Sequence, residues 1–170
     1  MQAVSDSLFY SFRDSTFELF QEPIVWSRKS QVTGDTIYLF TKNKKADLIK
    51  VFQNSFLINM KEEGVYNQVK STRMNAFFTN GSMDSVLAKG AAESIYFIQD
   101  KDSAYTGINQ TASVDMHVYF AKEDLKKIVF VRDVKGTMWP MSSKRPGEMR
   151  LKNFQWLERL RPKTKYDLLE

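Results

Sequence analysis

His117 is the only histidine in this 170-residue chain, so it is the first side chain to consider for acid–base or metal chemistry. It lies between Met116 and Val118 in a segment whose alternation predicts a β-strand, and its side chain is expected on the face opposite theirs. That position is typical of a polar residue on an outer face. A zinc site with one histidine and no cysteine would need several carboxylates, and the sequence shows no suitable cluster. We therefore expect neither a metal site nor a catalytic histidine.

The carboxylates and glycines show no pattern that predicts catalysis. Asp100, Asp102 and the pair Glu62-Glu63 lie in polar segments typical of turns. A carboxylate pair for glycoside hydrolysis depends only on proximity in space, and nothing in the sequence supports one. Gly34 lacks the strand-to-helix context of a phosphate-binding loop. We therefore predict a protein that is not an enzyme and that needs no cofactor.

The composition is typical of one globular domain, with 42% hydrophobic and 26% charged residues. No apolar run approaches the roughly 20 residues that a transmembrane helix needs, and residues 1–6 carry no signal-peptide pattern. If the protein is exported, its signal lies outside this sequence. The absence of cysteine excludes disulfides and thiolate sites. The net charge of +5 favours anionic partners, whether lipids, nucleic acids or acidic glycans.

A strand-like unit recurs about every forty residues and is the main organising pattern of the chain. Its copies are Gln31–Leu39, Asn67–Ala76 and Asn109–Val118. Each copy begins polar, ends in alternating apolar residues and is followed by a second apolar-rich stretch. One unit cannot bury its own apolar face, so the units are expected to stack into one continuous β surface. We therefore expect the function to be spread along a surface.

Short segments rich in β-branched and aromatic residues predict strands, and polar turn residues separate them. The pair Asn80-Gly81 predicts a tight hairpin, because both residues tolerate positive φ. Leu151–Leu160 has apolar residues three apart before Pro162, which predicts a short helix or a final strand. The first twelve residues resemble a strand from the middle of a fold, as in a fragment of a longer chain. The predicted strands are 36–41, 49–58, 94–98, 114–120 and 128–131.

A set of short motifs gives the chain a resemblance to a known family. The motifs are Asp14–Pro23 continuing to Trp26, Gln31–Asp35, Asn67–Lys70, Gly90–Tyr96, Gly107–Asn109, Leu151–Trp156 and Arg161-Pro162. In this order they resemble the OstA-like family, the lipopolysaccharide-transport proteins of the LptA type, in the longer version found in Bacteroides-like bacteria. One departure is that the second copy has Ser71-Thr72 where the first has Gly34-Asp35. This leaves the turn geometry of the second copy open.

The resemblance implies an all-β fold, an antiparallel β-taco or β-jelly-roll, across residues 1–170 with a basic C-terminal extension at 141–170. It implies a periplasmic protein that binds the acyl chains of lipopolysaccharide in an apolar groove. It also implies edge-to-edge assembly with itself or with other jelly-roll transport proteins through β-strand augmentation. Burial of acyl chains is favourable by about 0.8 kcal/mol for each methylene.

Two sets of residues are candidates for contacts with such a lipid. The apolar strand positions are candidates for the groove: Ile37, Leu39, Val51, Phe56, Ile58, Met74, Ile95, Phe97, Met116, Val118, Phe120, Ile128 and Phe130. Basic residues are candidates for the anionic headgroup: Lys42, Lys44, Lys45, Arg150 and Lys152. The alternative for the apolar set is a closed core, and the alternative for the basic set is a solvated surface.

Other functions stay open at this stage. With a closed core, the same stacked strands would serve as an envelope scaffold for protein partners. A glycan-binding module would need exposed aromatic platforms, for which Trp26, Trp139 and Trp156 are the candidates. The basic C-terminal residues, among them Lys165, alternate with aromatic residues such as Tyr166, as in a single-stranded nucleic-acid platform. No nucleic-acid-binding signature accompanies them, so we expect no nucleic-acid partner.

Overall fold

A computed structural model describes residues 1–164 and Asp167, and twelve antiparallel strands account for most of this part of the chain. This confirms the all-β antiparallel prediction. The remaining regular structure is two single turns of 3-10 helix, Pro146–Glu148 and Glu158–Leu160. The strands are β1 (Gln2–Val4), β2 (Ser7–Ser11), β3 (Thr16–Phe20), β4 (Ile24–Ser27), β5 (Ser30–Thr33), β6 (Thr36–Lys42), β7 (Lys45–Glu62), β8 (Val65–Thr79), β9 (Ser82–Gln99), β10 (Tyr105–Ala121), β11 (Asp124–Val131) and β12 (Lys135–Pro140).

The four long strands, β7 to β10, each belong to two layers. The first part of β7 pairs with β6 and its later part with β5, while β8 pairs along the other edge. At the opposite end, β10 pairs with β12 and then with β11. We call the half with β2, β3, β6 and β11 layer 1, and the half with β1, β4, β5 and β12 layer 2. The long strands run through both layers.

A line of bent residues, here called the fold line, separates the two layers. Gln53 and Asn54 have φ values of 60° and 49°, and they interrupt the β7–β8 register. The same level of the sheet carries positive φ at Gly90 and Ala91 in β9 and a register shift at Ser113 in β10. Left-handed residues and bulges bend a strand sharply. Because the bends lie side by side, the whole sheet folds back on itself.

The three repeated sequence units all cross the fold line, which explains their period. The first unit is divided there into β5 and β6 by Gly34-Asp35, whereas the second passes through it as one strand with a bulge at Ser71-Thr72. Ile37, Met74 and Met116 occupy the same place in each unit, and all three are fully buried. One repeat therefore corresponds to two passes of the chain across both layers, in opposite directions.

The facing sides of the two layers form one apolar cluster, which we call the interior. Layer 1 contributes residues such as Ile49, Val86 and Val118, and layer 2 contributes Leu57 and Val69. These side chains alternate along their strands with outward-facing ones, as expected for one buried sheet face. The interior is therefore a core enclosed between two halves of one folded sheet.

Residues 141–162, here called the strap, cross the outer face of layer 2. Of the short helix or strand predicted over Leu151–Leu160, only the helical turn Glu158–Leu160 is present, and residues 151–157 have no regular secondary structure. Of the apolar residues at this three-residue spacing, Leu151 and Phe154 instead cover a second apolar cluster. Met149, Leu151 and Phe154 pack there. The strap thus buries part of the outer face of layer 2.

Glutamine side chains hold the strap through its backbone. The Gln68 amide donates to the Met149 carbonyl (2.9 Å) and accepts from the Leu151 N–H (2.8 Å). The Gln31 amide makes the same pair of bonds to the Gln155 carbonyl and the Leu157 N–H, at 2.8 and 2.7 Å. The irregular strap therefore satisfies part of its backbone hydrogen bonding through side chains.

Candidate functional site

The interior contains most of the apolar residues that the sequence suggested for a groove. Nine of the thirteen candidates belong to the interior cluster or pack against it. They are Ile37, Leu39, Val51, Met74, Met116, Val118, Phe120, Ile128 and Phe130. The first seven are at most 9% exposed. The facing layers are therefore packed closely enough to leave these side chains almost no contact with water.

The other four candidates lie on the opposite face of layer 2, beneath the strap. Phe56, Ile58, Ile95 and Phe97 belong to the cluster that Met149 and Leu151 complete. Strands β7 and β9 are apolar on both faces in this region, so alternation alone did not show which face points inward. The structure therefore divides the thirteen candidates between two separate surfaces.

Layer 2 also brings polar side chains into the interior. Asn59 and Asn67 are direct cross-strand partners, and both are 1% exposed. The Asn59 side-chain amide donates to the Ser30 hydroxyl (3.0 Å), and the side-chain oxygen Oδ1 of Asn67 accepts from the Phe97 N–H (2.9 Å). Asn59 Oδ1, Asn67 Nδ2 and Ser94 Oγ are buried without a hydrogen-bond partner in the described structure. The interior is therefore apolar on the layer 1 side and partly polar on the layer 2 side.

Contacts of the β10–β11 hairpin close the interior opposite the fold line. Glu123 forms an ion pair with Arg28 at the β4–β5 turn, and Asp124 accepts from Lys61 of β7 at 2.9 Å. The Asn59 amide also donates to the Glu123 carbonyl (3.2 Å). Burial, and secondarily the nearby Asp124 carboxylate, raises the pKa of Tyr96 above its ordinary value. We call these contacts between the hairpin and layer 2 the latch.

The basic headgroup candidates lie in two different places. Lys42, Lys44 and Lys45 are at the β6–β7 hairpin of layer 1, whereas Arg150 and Lys152 are on the strap over layer 2. Arg150 donates to the Pro146, Met149 and Gly64 carbonyls at 2.8 to 3.0 Å and lies over two aromatic rings. Burial lowers the pKa of its guanidinium from the ordinary value. Arg150 thus anchors the strap.

The histidine and the three tryptophans considered in the sequence analysis do not form a functional site. His117 is exposed between the buried Met116 and Val118, as the alternation predicted. Trp26 is fully buried, and Trp139 and Trp156 are half-buried beneath or within the strap. The three tryptophans therefore do not form an exposed aromatic platform.

Two further observations apply to residues 1–164 and Asp167. No three histidine, cysteine or carboxylate side chains there come close enough together to hold a metal ion. The same residues form no helix with the length and apolar character needed to cross a membrane. Lys165 and Tyr166 lie outside the described part of the chain.

No sequence pattern pointed directly to the latch, because Arg28, Lys61 and the Glu123-Asp124 pair are far apart in the chain and resemble ordinary turn residues. The glutamines that bind the strap did show a pattern in the sequence. A glutamine stands near the start of each repeated unit, as Gln31, Gln68 and Gln110. This position is buried in two of the three units, at Gln31 and Gln68. The recurrence of glutamine there could have indicated that these side chains bind the same segment of the chain.

Comparisons with known proteins support the fold. No protein-family model and no curated protein sequence matches the chain. Among solved structures, it is similar to LptH from Pseudomonas aeruginosa, described as the LptA-homologous periplasmic component of the lipopolysaccharide transport device. The TM-score is 0.61 at 11% sequence identity, and the match covers 82% of this chain and 94% of LptH. At this identity the likeness shows the fold alone, an LptA-like antiparallel β-jelly-roll.

Proposed function

We propose that this protein is a periplasmic carrier that takes the acyl chains of lipopolysaccharide between its two layers and passes them on without chemical change. The observation that carries the proposal is the interior: one apolar surface that runs across every long strand inside a fold shared with LptH. A continuous apolar surface suits a flexible chain, because each methylene taken from water contributes about 0.8 kcal/mol. The methionines Met74 and Met116 add adaptable contacts.

In this proposal, acyl chains enter the interior at the latch. The interior side chains are almost fully buried, so acyl chains can enter only if the layers separate opposite the fold line. The ion pairs of Glu123 and Asp124 hold that side closed, and their side chains are partly exposed. Exposed ion pairs contribute only about 0–1 kcal/mol each, so the latch opposes opening weakly.

Exposed edge strands support assembly with further jelly-roll domains. β2 ends layer 1 on one side, and its Leu8 and Phe9 are each 59% exposed. At the other end of the sheet, β12 carries Met138 with 66% exposure. An uncovered edge offers free backbone N–H and C=O groups to another strand. The proposed partners are a second copy of this chain or another protein of the same fold.

Photo-crosslinking can test the interior as the lipid site. A crosslinking amino acid is placed at Met116 in the interior, and a matched one at Phe97, which is equally buried but lies under the strap. We expect lipopolysaccharide to crosslink at position 116 and not at 97. The surface control is Lys122 in the β10–β11 turn.

A closed core is the specific observation that favours a second candidate function, an envelope scaffold without lipid in its interior. If folded protein gives no crosslink at Met116 at any lipopolysaccharide concentration, the carrier proposal is wrong and the scaffold is favoured. Crosslinks at Phe97 alone would place the lipid on the outer face of layer 2 and would also contradict the proposed interior route.

A further inference from the structure

A cavity of about 520 Å³ lies on the outer face of layer 2, between the strap and the fold line. It is separate from the interior, because its floor consists of side chains on the opposite face of the same strands. Ile24, Phe56 and Ile58 form the buried apolar part of that floor. On the strap side, Leu157 and Leu160 extend the apolar lining.

One row of cross-strand partners determines the floor of this cavity. Val4, Ile24, Thr33, Phe56 and Lys70 face one another in order across β1, β4, β5, β7 and β8. The strap covers the neighbouring row, in which Gln2, Gln31 and Gln68 bind its backbone. The cavity is therefore the part of the outer face that the strap leaves uncovered beside the fold line.

Charges of both signs surround the apolar floor. Asp6, Glu22 and Asp35 each stand at a corner of the fold line, where the chain passes from one layer to the other. The Asn54 amide donates to both oxygens of Asp35, at 3.0 and 2.9 Å, which fixes that carboxylate at the rim.

Two cations complete the rim. Lys70 stands at the β8 end of the floor, and Arg159 projects from the strap. Within the described part of the chain, these two cations and the three rim carboxylates form no ion pairs. The rim therefore presents both positive and negative groups that are available to a ligand.

We propose that this cavity binds a single-chain amphiphile whose head carries both an ammonium and a phosphate. Its volume lies within the roughly 300–1,000 Å³ typical of small-molecule sites, which suits one alkyl chain and not several. The apolar floor would take the chain. Lys70 and Arg159 would meet the phosphate, and the rim carboxylates would meet the ammonium.

Dodecylphosphocholine below its micelle concentration is a suitable probe, with isothermal titration calorimetry as the measurement. We expect saturable binding of one probe per chain. Lys70→Met and Glu22→Gln should each weaken binding about two- to fivefold, as loss of an exposed ion pair does. Two controls should bind as the parent does: Lys135→Met, three strands from Lys70 along the same row but outside the cavity, and the fold-line variant Asp133→Asn.

Two cavity-filling variants separate a binding defect from a folding defect. Thr33→Trp and Ser5→Trp each place an indole in the cavity from a different element, and circular dichroism reports whether each variant is folded. A folded filling variant should lose the probe. Undiminished binding to such a variant, or absence of saturable binding to the parent, overturns the proposal.

A separate experiment tests whether the phosphate of the head group contributes to binding. Equal or tighter binding of dodecyltrimethylammonium, which lacks the phosphate, contradicts the zwitterionic assignment. Because the cavity and the interior lie on opposite faces of layer 2, crosslinking at Met116 is unaffected by either outcome. The two proposals therefore fail independently.

Discussion

At the scale of single residues, the strap depends on amide groups that act as part of its backbone network. Gln68 is fully buried, and its two hydrogen bonds to the strap replace the pairing that a neighbouring strand would give to residues 149 and 151. An unsatisfied buried group costs about 1–3 kcal/mol.

Gln68→Ala is therefore expected to lower the free energy of unfolding by about 1–3 kcal/mol, measured by urea denaturation. The matched control is Gln110→Ala, in the same cross-strand row but exposed to solvent. A Gln68 variant as stable as the Gln110 variant would mean that the strap does not depend on this amide.

Asp115 makes the stability of the fold line depend on pH. Its carboxylate accepts from Arg132 (2.7 Å) and from the Gly90 N–H (3.1 Å), and it thereby joins neighbouring corners of β9, β10 and β11. These bonds, with the Arg132 bond the largest cause, lower the pKa of Asp115 below its ordinary value of 3.8. The ionised form is the one that stabilises the fold.

Because the folded-state pKa is depressed, the contribution of Asp115 is complete above pH 3.8 and is lost as the pH falls through the lower folded-state value. Asp115→Asn should therefore reduce stability at pH 7 and flatten the loss of stability in acid. Since its partner Arg132 is 65% exposed and solvent screens the pair, we expect an effect of about 1 kcal/mol or less. Denaturation at pH 7 and at pH 3 gives the free energy of unfolding of variant and parent. An equal loss of stability between the two pH values in both proteins would contradict this role of Asp115.

At the scale of elements, the fold line requires close approach of the backbone at Gly34. A Cβ atom there would lie 2.2 Å from Val51 Cγ1 and 3.1 Å from the Gln53 carbonyl oxygen. Gly34→Ala is expected to destabilise the fold by about 1–3 kcal/mol, as overpacking does. Gly147→Ala is the control, because a Cβ atom at Gly147 meets nothing within 4 Å. Thermal unfolding of the two variants gives the comparison, and equal melting temperatures would refute the close approach.

The edge strand β2 is one of the two elements on which the assembly proposal depends. A lysine at Phe9 places a charge on an exposed edge and should shift concentrated protein towards the monomer in analytical ultracentrifugation. Phe77→Lys provides the control, since Phe77 is also exposed but lies in the central strand β8. Equal sedimentation of both variants and the parent at all concentrations would exclude β2 as the assembly edge.

At the scale of the whole molecule, the carrier proposal requires the two layers to separate at the latch. The double variant Glu123→Gln/Asp124→Asn removes both ion pairs while it keeps side-chain size. We expect faster uptake of lipopolysaccharide, by up to about fivefold, with little loss of stability. Stopped-flow fluorescence with a labelled lipopolysaccharide measures the rate. Glu63→Gln in the exposed β7–β8 turn is the control. Unchanged uptake in the double variant would mean that the layers open elsewhere.

The sequence by itself determined the class of the fold and its repeat. Turn residues such as Asn80-Gly81 and the alternation around Met116 are local signals, and the structure confirms both the hairpin and the buried face. The repeated unit was visible because each pass across the two layers buries the same positions. Local propensity and period were sufficient for these features, since neighbours in the chain decide them.

Tertiary structure alone decided which face is inside and what covers the other. Phe56 and Phe97 could not be separated from interior residues, because β7 and β9 are apolar on both faces and only the strap shows what lies above them. The Leu151–Leu160 spacing also predicted a short helix or a strand, where glutamine contacts from 83 and 126 residues away hold irregular backbone. Long-range contacts determine these features, and no local pattern in the chain encodes them.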